Sequence, residues 1–235
     1  MSLPFEKYKS GEYLAKNPTW DIEDSPWKAD QVCKILTQNS IYPKSVVEVG
    51  CGAGGVLAAM HNEYPEIEYC GFEIAPDASQ FWAKYKDKNI SFVIGDYLSA
   101  DVPHFEVLLL LDVIEHLPDP FTFLSALHGR ADYFIFHFPL DLSAVSVLRE
   151  QPLLNVREKV GHIHYYTKGL ALSLIKETGF EVLDWNYTGA AFSAPQGNWK
   201  TKLAQLPRRL ANIVIGRDAG VRLLGGDTLI VLARR

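Results

Sequence analysis

Val46-Val47-Glu48-Val49-Gly50-Cys51-Gly52-Ala53-Gly54-Gly55 is a short β-branched run that leads directly into a glycine-rich turn and then a helical stretch. Glycine suits such a turn because a Cβ would hold a ligand away from the backbone. Gly50, Gly52 and Gly55 also satisfy the G-x-G-x-x-G spacing of a dinucleotide fold. Taken alone, the turn leaves more than one nucleoside ligand open, as well as a tight βα turn with no ligand.

Outward from this turn, short β-branched or aromatic runs alternate with helical patterns, the signature of a parallel sheet wrapped by helices. Strands are expected over 45–49, 67–73, 90–94, 105–111 and 133–138, with two later ones over 180–187 and 228–232. Helices are expected over 53–63, 76–86 and 120–129, and another over 167–178 with Thr167 as its cap and Gly179 as its terminator. Before the sheet, Ser25-Pro26 reads as a helix start with the serine hydroxyl as cap, followed by Ala29, Val32, Cys33 and Leu36 at helical spacing. Residues 1–44 are therefore an N-terminal arm and helix packing on the core, and 45–235 form the main domain. Two stretches break the rhythm, about 140–160 and 190–225. Insertions there commonly shape substrate pockets, because ligands of open α/β sheets sit beyond the carboxyl ends of the strands.

Bulk composition narrows the class. At 235 residues, 48% of them apolar and 22% charged, the chain is one globular core with decorations. A net charge of -5 argues against a general nucleic-acid binder, which needs excess Lys and Arg. The longest apolar run, Val107 to Leu111, is too short for stable membrane insertion, and Met1-Ser2-Leu3-Pro4 begins no secretory signal. Cys33, Cys51 and Cys70 are few and form no C-x-x-C pair, so a cytoplasmic setting without structural zinc is expected.

The neighbours of the glycine turn decide between ligands. Glu73 ends the second strand in Gly71-Phe72-Glu73-Ile74, where a carboxylate can accept both ribose hydroxyls. The third strand is followed by Gly95-Asp96-Tyr97, an acceptor and a flat ring suited to adenine. The fourth ends in Leu111-Asp112-Val113-Ile114-Glu115-His116-Leu117-Pro118-Asp119-Pro120.

With these residues the sequence resembles the class I S-adenosylmethionine-dependent methyltransferases, in the branch whose fourth strand ends in D-x-x-E-H-x-x-x-P. The resemblance covers Ser45 to about Tyr187. It implies a Rossmann-like, doubly wound, seven-stranded sheet with helices on both faces and the last strand antiparallel. It also implies that Glu48, Gly50, Gly52 and Gly54 surround the methionine part of the cofactor, with Cys51 in the same loop. Glu73 would hold the ribose, Ile74 would pack on the adenine, and Asp96 would accept from its amino group, with Gly95 and Tyr97 lining that site. Leu111, Asp112 and His116 would lie under the sulfonium and face the acceptor.

Several of these residues have second readings. Glu48 can bond the amides of the glycine loop and shape it, and Asp112 and Glu115 can cap the helix after the fourth strand. Gly161-His162-Ile163-His164-Tyr165-Tyr166-Thr167 resembles the G-H-x-x-x-[YF]-[ST] segment of the same branch. His162 and His164 share a side if it is extended, as paired metal ligands, as a base, or as structural histidines. No metal is expected. His116 is the first candidate base and His162 the second, with packing as the alternative.

The arm offers Tyr8, Tyr13, Trp20, Trp27 and Lys28, which either fold over the cofactor or pack on the outer helices. Lys200, Lys202, Arg208, Arg209, Arg217 and Arg222, interleaved with Leu206, Leu210, Ile213, Val214 and Ile215, read as a solvated helix face or one turned to an anionic acceptor or membrane. The implied function is methyl transfer from S-adenosylmethionine, leaving S-adenosylhomocysteine, to a small or medium-sized acceptor such as a metabolite, sugar derivative or lipid-linked intermediate. An Asn-Pro-Pro-Tyr type motif is absent after the fourth strand, which disfavours nucleic-acid amino methylation. The alternatives are an NAD-dependent oxidoreductase, which lacks a Tyr-x-x-x-Lys pair and a second domain, and a non-catalytic cofactor-binding protein of the same fold.

Overall fold

A computed structural model of the chain describes residues 11–189 and 205–235. In chain order the helices are α1 (Glu12–Lys16), α2 (Ser25–Gln38), α3 (Gly55–Glu63), α4 (Pro120–Ala126), α5 (Ala144–Arg149), α6 (Gln151–Lys159), α7 (Lys168–Glu177), α8 (Leu206–Ile215) and α9 (Arg217–Leu224). The strands are β1 (Ser45–Val49), β2 (Glu68–Glu73), β3 (Ile90–Ile94), β4 (Phe105–Leu111), β5 (Ala131–Pro139), β6 (Glu181–Tyr187) and β7 (Thr228–Arg234). They form one seven-stranded sheet in the order β3-β2-β1-β4-β5-β7-β6, parallel except for β7, which runs antiparallel to both its neighbours.

Why these runs make a central sheet is visible in their period of two. Val47, Leu108, Leu110, Phe134, Phe136 and Val231 join one apolar cluster, with Leu124 of α4 and Ala171, Leu174 and Ile175 of α7. The alternate residues Val46, Val107, Leu109, Ile135, Ile230 and Leu232 join the other, with Val32, Ile35 and Leu36 of α2 and Val56, Leu57 and Met60 of α3. A sheet covered on both faces needs strands with no polar side, and β4 has the sequence Phe-Glu-Val-Leu-Leu-Leu-Leu. Chain order reverses between β1 and β4, so the loops at their carboxyl ends diverge and leave a crevice.

Local details depart from the sequence reading. Ser25 lies inside α2, whose first turn has Asp24 before it and no side-chain cap; its Oγ instead lies 2.3 Å from where a Cβ on Gly55 would stand. That contact, invisible to local pattern, explains why Gly55 must lack a side chain. Over 76–86 the chain winds as a tight 3₁₀ stretch, Pro76–Tyr85, rather than an α-helix. Thr167 does cap α7, its hydroxyl accepting from the Leu170 amide. The stretch at 140–160 folds into α5 and α6. Of the later one, residues 190–204, with Lys200 and Lys202, lie outside the described residues. The rest is two helices, because Gly216 at φ +82° ends α8. Leu206, Leu210, Ile213, Val214 and Ile215 of α8 are exposed, while Arg217 of α9 pairs with buried Asp227 at 2.8 Å.

Candidate cofactor and acceptor site

The carboxyl ends of β1, β2, β4 and β5 open onto a single crevice of about 1080 Å³. Its floor is the turn after β1. Gly50 (φ +80°) and Gly52 (φ +50°) adopt backbone conformations that side-chain-bearing residues rarely hold. A Cβ on Gly50 would lie 2.6 Å from Val113, and one on Gly52 2.6 Å from the Trp20 indole. Gly54, expected in the same ligand loop, turns instead toward Phe92, 2.5 Å from its would-be Cβ, and does not line the crevice. Its freedom serves packing.

Glu73 braces this turn. Its Oε2 accepts from the Gly52 amide at 2.9 Å and its Oε1 from the Ala75 amide at 2.9 Å. Glu73 also lines the crevice, and a carboxylate oxygen that accepts one bond can accept a second, which suits hydroxyl donors. Burial raises its pKa, against the pull of the Ala75, Gly52 and Ile74 amides. Loop shaping, the second role expected of Glu48, falls to Glu73. Glu48 lies at the end of β1, 3% exposed, with Oε2 buried and unpartnered. Burial lifts its pKa to about 8, Lys28 opposes that, and Glu73 and Asp112 add to it.

Ile74, Gly95, Asp96 and Tyr97 line the adjoining end of the crevice, with Cys51 beside them. Asp96 is exposed and holds the start of a short turn, Oδ1 accepting from the Leu98 amide at 3.0 Å and Oδ2 from the Ser99 hydroxyl at 2.8 Å. Tyr97 packs edge-on against Phe72 and is 1% exposed.

At the other end, Leu111 and Asp112 close β4. Neither Asp112 nor Glu115 caps a helix, as one reading of them had it. Asp112, at φ +56°, has Oδ2 2.7 Å from Lys28 Nζ and Oδ1 2.6 Å from His137 Nδ1. Burial would raise its pKa, yet His137 and Lys28 together hold it well below the usual carboxylate range. This bridge ties α2 and β5 to the carboxyl end of β4, beside the point where the sheet's order reverses. His137 was not singled out from sequence. The one signal was an imidazole near the carboxyl end of an otherwise apolar strand, Ala131–Pro139.

Beyond Asp112 the chain turns through Ile114–His116 and meets the 161–167 segment, whose Ile163 and His164 amides both donate to the Glu115 carbonyl, at 2.9 and 3.1 Å. Glu115 is fully buried, and neither carboxylate oxygen has a hydrogen-bond partner. His116 Nδ1 donates to the Gly161 carbonyl at 3.1 Å, and His162 Nδ1 to Asp141 Oδ2 at 2.6 Å. Both Nε2 atoms stand 3.8 Å from Glu115 Oε1. Burial, and next the neighbouring His162, lower the His116 pKa to about 4. His164, expected to share a side with His162, bonds the Leu117 carbonyl at 2.9 Å, and the partner of His162 is His116, with ring centroids 4.9 Å apart.

Of the arm, Trp20, Trp27 and Lys28 line the crevice, Trp27 edge-on to His137 at 5.9 Å. Tyr8 and the Tyr13 side chain lie outside the described residues. Lys28 is the one lysine or arginine lining the crevice among the described residues, against eight carboxylates, Asp21, Asp24, Glu48, Glu73, Asp96, Asp112, Glu115 and Asp119.

A family model described as "Methyltransferase domain" matches residues 27–184, which hold most of α2, the strands from β1 to β5 and residues at both ends of the crevice. The chain belongs to this family. Membership displaces the oxidoreductase alternative. This methyltransferase-domain chain is similar to ajmaline N-methyltransferase of Rauvolfia serpentina, 26% identical over 183 residues, 73% of this chain and 54% of that enzyme. It spans about half or less of the length of the curated relatives it matches. Its fold is that of the plantazolicin methyltransferase BpumL (TM-score 0.64, 12% identity, covering 99% of this chain and 94% of that one). It is also that of the N-methyltransferase NodS from Bradyrhizobium japonicum WM9, in complex with S-adenosylhomocysteine (TM-score 0.61, 15% identity, 100% and 99%).

Proposed function

We propose that the chain transfers a methyl group from S-adenosylmethionine to a small or medium-sized acceptor. The observation that carries this reading is the charge of the crevice: carboxylates at the ends of β1, β2, β3 and β4 and, among the described residues, a single lysine, itself paired with Asp112, suit a ligand bearing a sulfonium and an ammonium. The volume, about 1080 Å³, suits that ligand together with a modest acceptor.

Bound there, S-adenosylmethionine supplies a methyl carbon made electrophilic by the positive sulfur. Glu73 accepts the ribose hydroxyls on its remaining lone pairs, and Ile74, Gly95, Asp96 and Tyr97 receive the adenine. Glu48, with Gly50, Cys51 and Gly52, faces the methionine end, where a cationic amine favours its ionised form. Trp20 over Gly52 and Trp27 beside His137 exclude water, which favours a displacement in which charge is lost. Leu111 and Asp112 form the floor below the reacting atoms. Holding acceptor, carbon and sulfur in line is worth roughly 7–11 kcal/mol, so no protein nucleophile is needed. An acceptor carrying a proton at the attacked atom gives it to His116, with His162 as the second base; their Nδ1 bonds leave Nε2 as the acceptor nitrogen of each neutral ring.

The acceptor is a small metabolite, a sugar derivative or a lipid-linked intermediate, and not nucleic acid. Three free thiols support a cytoplasmic setting. Among the described residues no helix is long and apolar enough to cross a membrane. The reading is tested by incubating the protein with methyl-labelled S-adenosylmethionine and pooled metabolites, with mass detection. A product heavier by one labelled methyl, formed together with S-adenosylhomocysteine, is the expected result. Labelled donor consumed without any methylated product would overturn it.

A further inference from the structure

We propose that Glu115, His116 and His162 bind one first-row transition-metal dication of the zinc class on the acceptor side of the crevice. Three observations carry the site. One donor atom from each residue lies within 4.8 Å of the other two, and Glu115 Oε1 stands 3.8 Å from each imidazole Nε2. An ion about 2.1 Å from each donor would set them a little over 3 Å apart, so a modest swing of the rings completes the triangle.

The second is that both oxygens of Glu115 are buried without a hydrogen bond, an arrangement costly for a carboxyl group in either protonation state and relieved by a bound cation. The third lies one shell out. His162 Nδ1 donates to Asp141 Oδ2 at 2.6 Å and His116 Nδ1 to the Gly161 carbonyl at 3.1 Å, the outer bonds that orient metal-bound imidazoles and fix Nε2 as the ligating nitrogen. Asp112 does not join, because Lys28 and His137 hold its two oxygens.

Two imidazoles and one carboxylate select zinc, iron, cobalt or manganese over magnesium and calcium, which favour all-oxygen shells. Three protein ligands leave a coordination position facing the crevice, open to an oxygen or nitrogen of the acceptor. His116 and His162 cannot ligate through Nε2 and accept a proton there together; with the ion bound, the lowered pKa of an ion-bound acceptor replaces the base. In that use the inference deepens the methyl-transfer reading and rests on it, whereas the site itself rests on geometry.

Zinc is titrated into the metal-stripped full chain against a chromophoric chelator, and cobalt is followed by its visible absorption, with S-adenosylhomocysteine binding measured on the same preparations. One zinc per chain is expected, and a cobalt spectrum of low coordination number. Glu115→Gln and His162→Asn abolish stoichiometric binding, Asp141→Asn weakens it roughly 10–100-fold, and His104→Ala, at the exposed pair with Asp132, leaves it unchanged. Retained S-adenosylhomocysteine binding shows each variant to be folded; should Glu115→Gln fail to fold, Asp141→Asn and the wild-type cobalt spectrum decide. No stoichiometric zinc on a wild type that binds S-adenosylhomocysteine overturns this inference alone, as does zinc binding indifferent to His162→Asn. Zinc bound without S-adenosylhomocysteine would overturn the methyl-transfer reading and leave the metal site standing.

Discussion

Glu48 and Glu73 end neighbouring strands and meet opposite conditions, one with an orphaned oxygen and the other with an amide on each oxygen. Glu48 titrates near 8 in the folded chain against an ordinary 4.5, so between those values the folded state keeps a proton that the unfolded state has lost. Its contribution to stability is therefore fully present below about pH 4.5 and is lost as pH rises toward 8. Glu48→Gln removes that loss: denaturant unfolding at pH 5 and pH 8 is expected to show the variant gaining on wild type by a few kcal/mol across the interval. An unchanged difference would mean that Glu48 is ionised in the folded protein. Glu73→Ala and Asp96→Ala are each expected to weaken S-adenosylhomocysteine binding by about 1 kcal/mol or more in calorimetry, and Glu73→Ala to destabilise the free protein as well, since it frees the Gly52 and Ala75 amides. Equal affinity in both variants would show the ribose and adenine assignments to be misplaced. Both acids were legible in sequence as candidates because one ends β2 and the other follows β3, at the carboxyl ends where ligands of open α/β sheets sit. His137 and Asp141 were not, because their meaning lies in Asp112 and His162, 25 and 21 residues away.

At the scale of elements, the turn between β1 and α3 and the arm above it are one unit. Gly52 combines a positive φ with a Trp20 indole where its Cβ would be. Gly52→Ala is therefore expected to cost roughly 1–2 kcal/mol in backbone strain alone, to displace Trp20, and to weaken cofactor binding; thermal unfolding and tryptophan fluorescence of the variant check both parts. A variant as stable as wild type, with unaltered fluorescence, would show that the contact is slack. Strands were readable because β-branched and apolar runs of five to nine residues leave few other choices. The 3₁₀ winding at Pro76–Tyr85, the Ser25 hydroxyl set against Gly55, and the His116–His162 pairing were not, since tertiary contact rather than local propensity decides each. The 161–167 segment was legible as a motif but not as a structure: two amides on the Glu115 carbonyl place it, and backbone bonds of that kind leave no trace in side-chain pattern.

For the whole molecule, burial of both sheet faces fixes the strand order, the strand order fixes where loops diverge, and the divergence makes one acidic crevice at the junction of β1 and β4. The fold was legible at this scale because alternation, glycine and strand ends are local signals, while the acceptor contacts belong to the variable stretches at 140–160 and 190–225. The measurement that tests the account most directly is thermal unfolding with S-adenosylhomocysteine and, separately, with NAD. A ligand at about 100 times its Kd adds roughly 2.7 kcal/mol to the folded state, which for a chain of this size raises Tm by about 5–10 °C. S-adenosylhomocysteine is expected to give that rise and NAD none; a rise with NAD and none with S-adenosylhomocysteine would contradict the account.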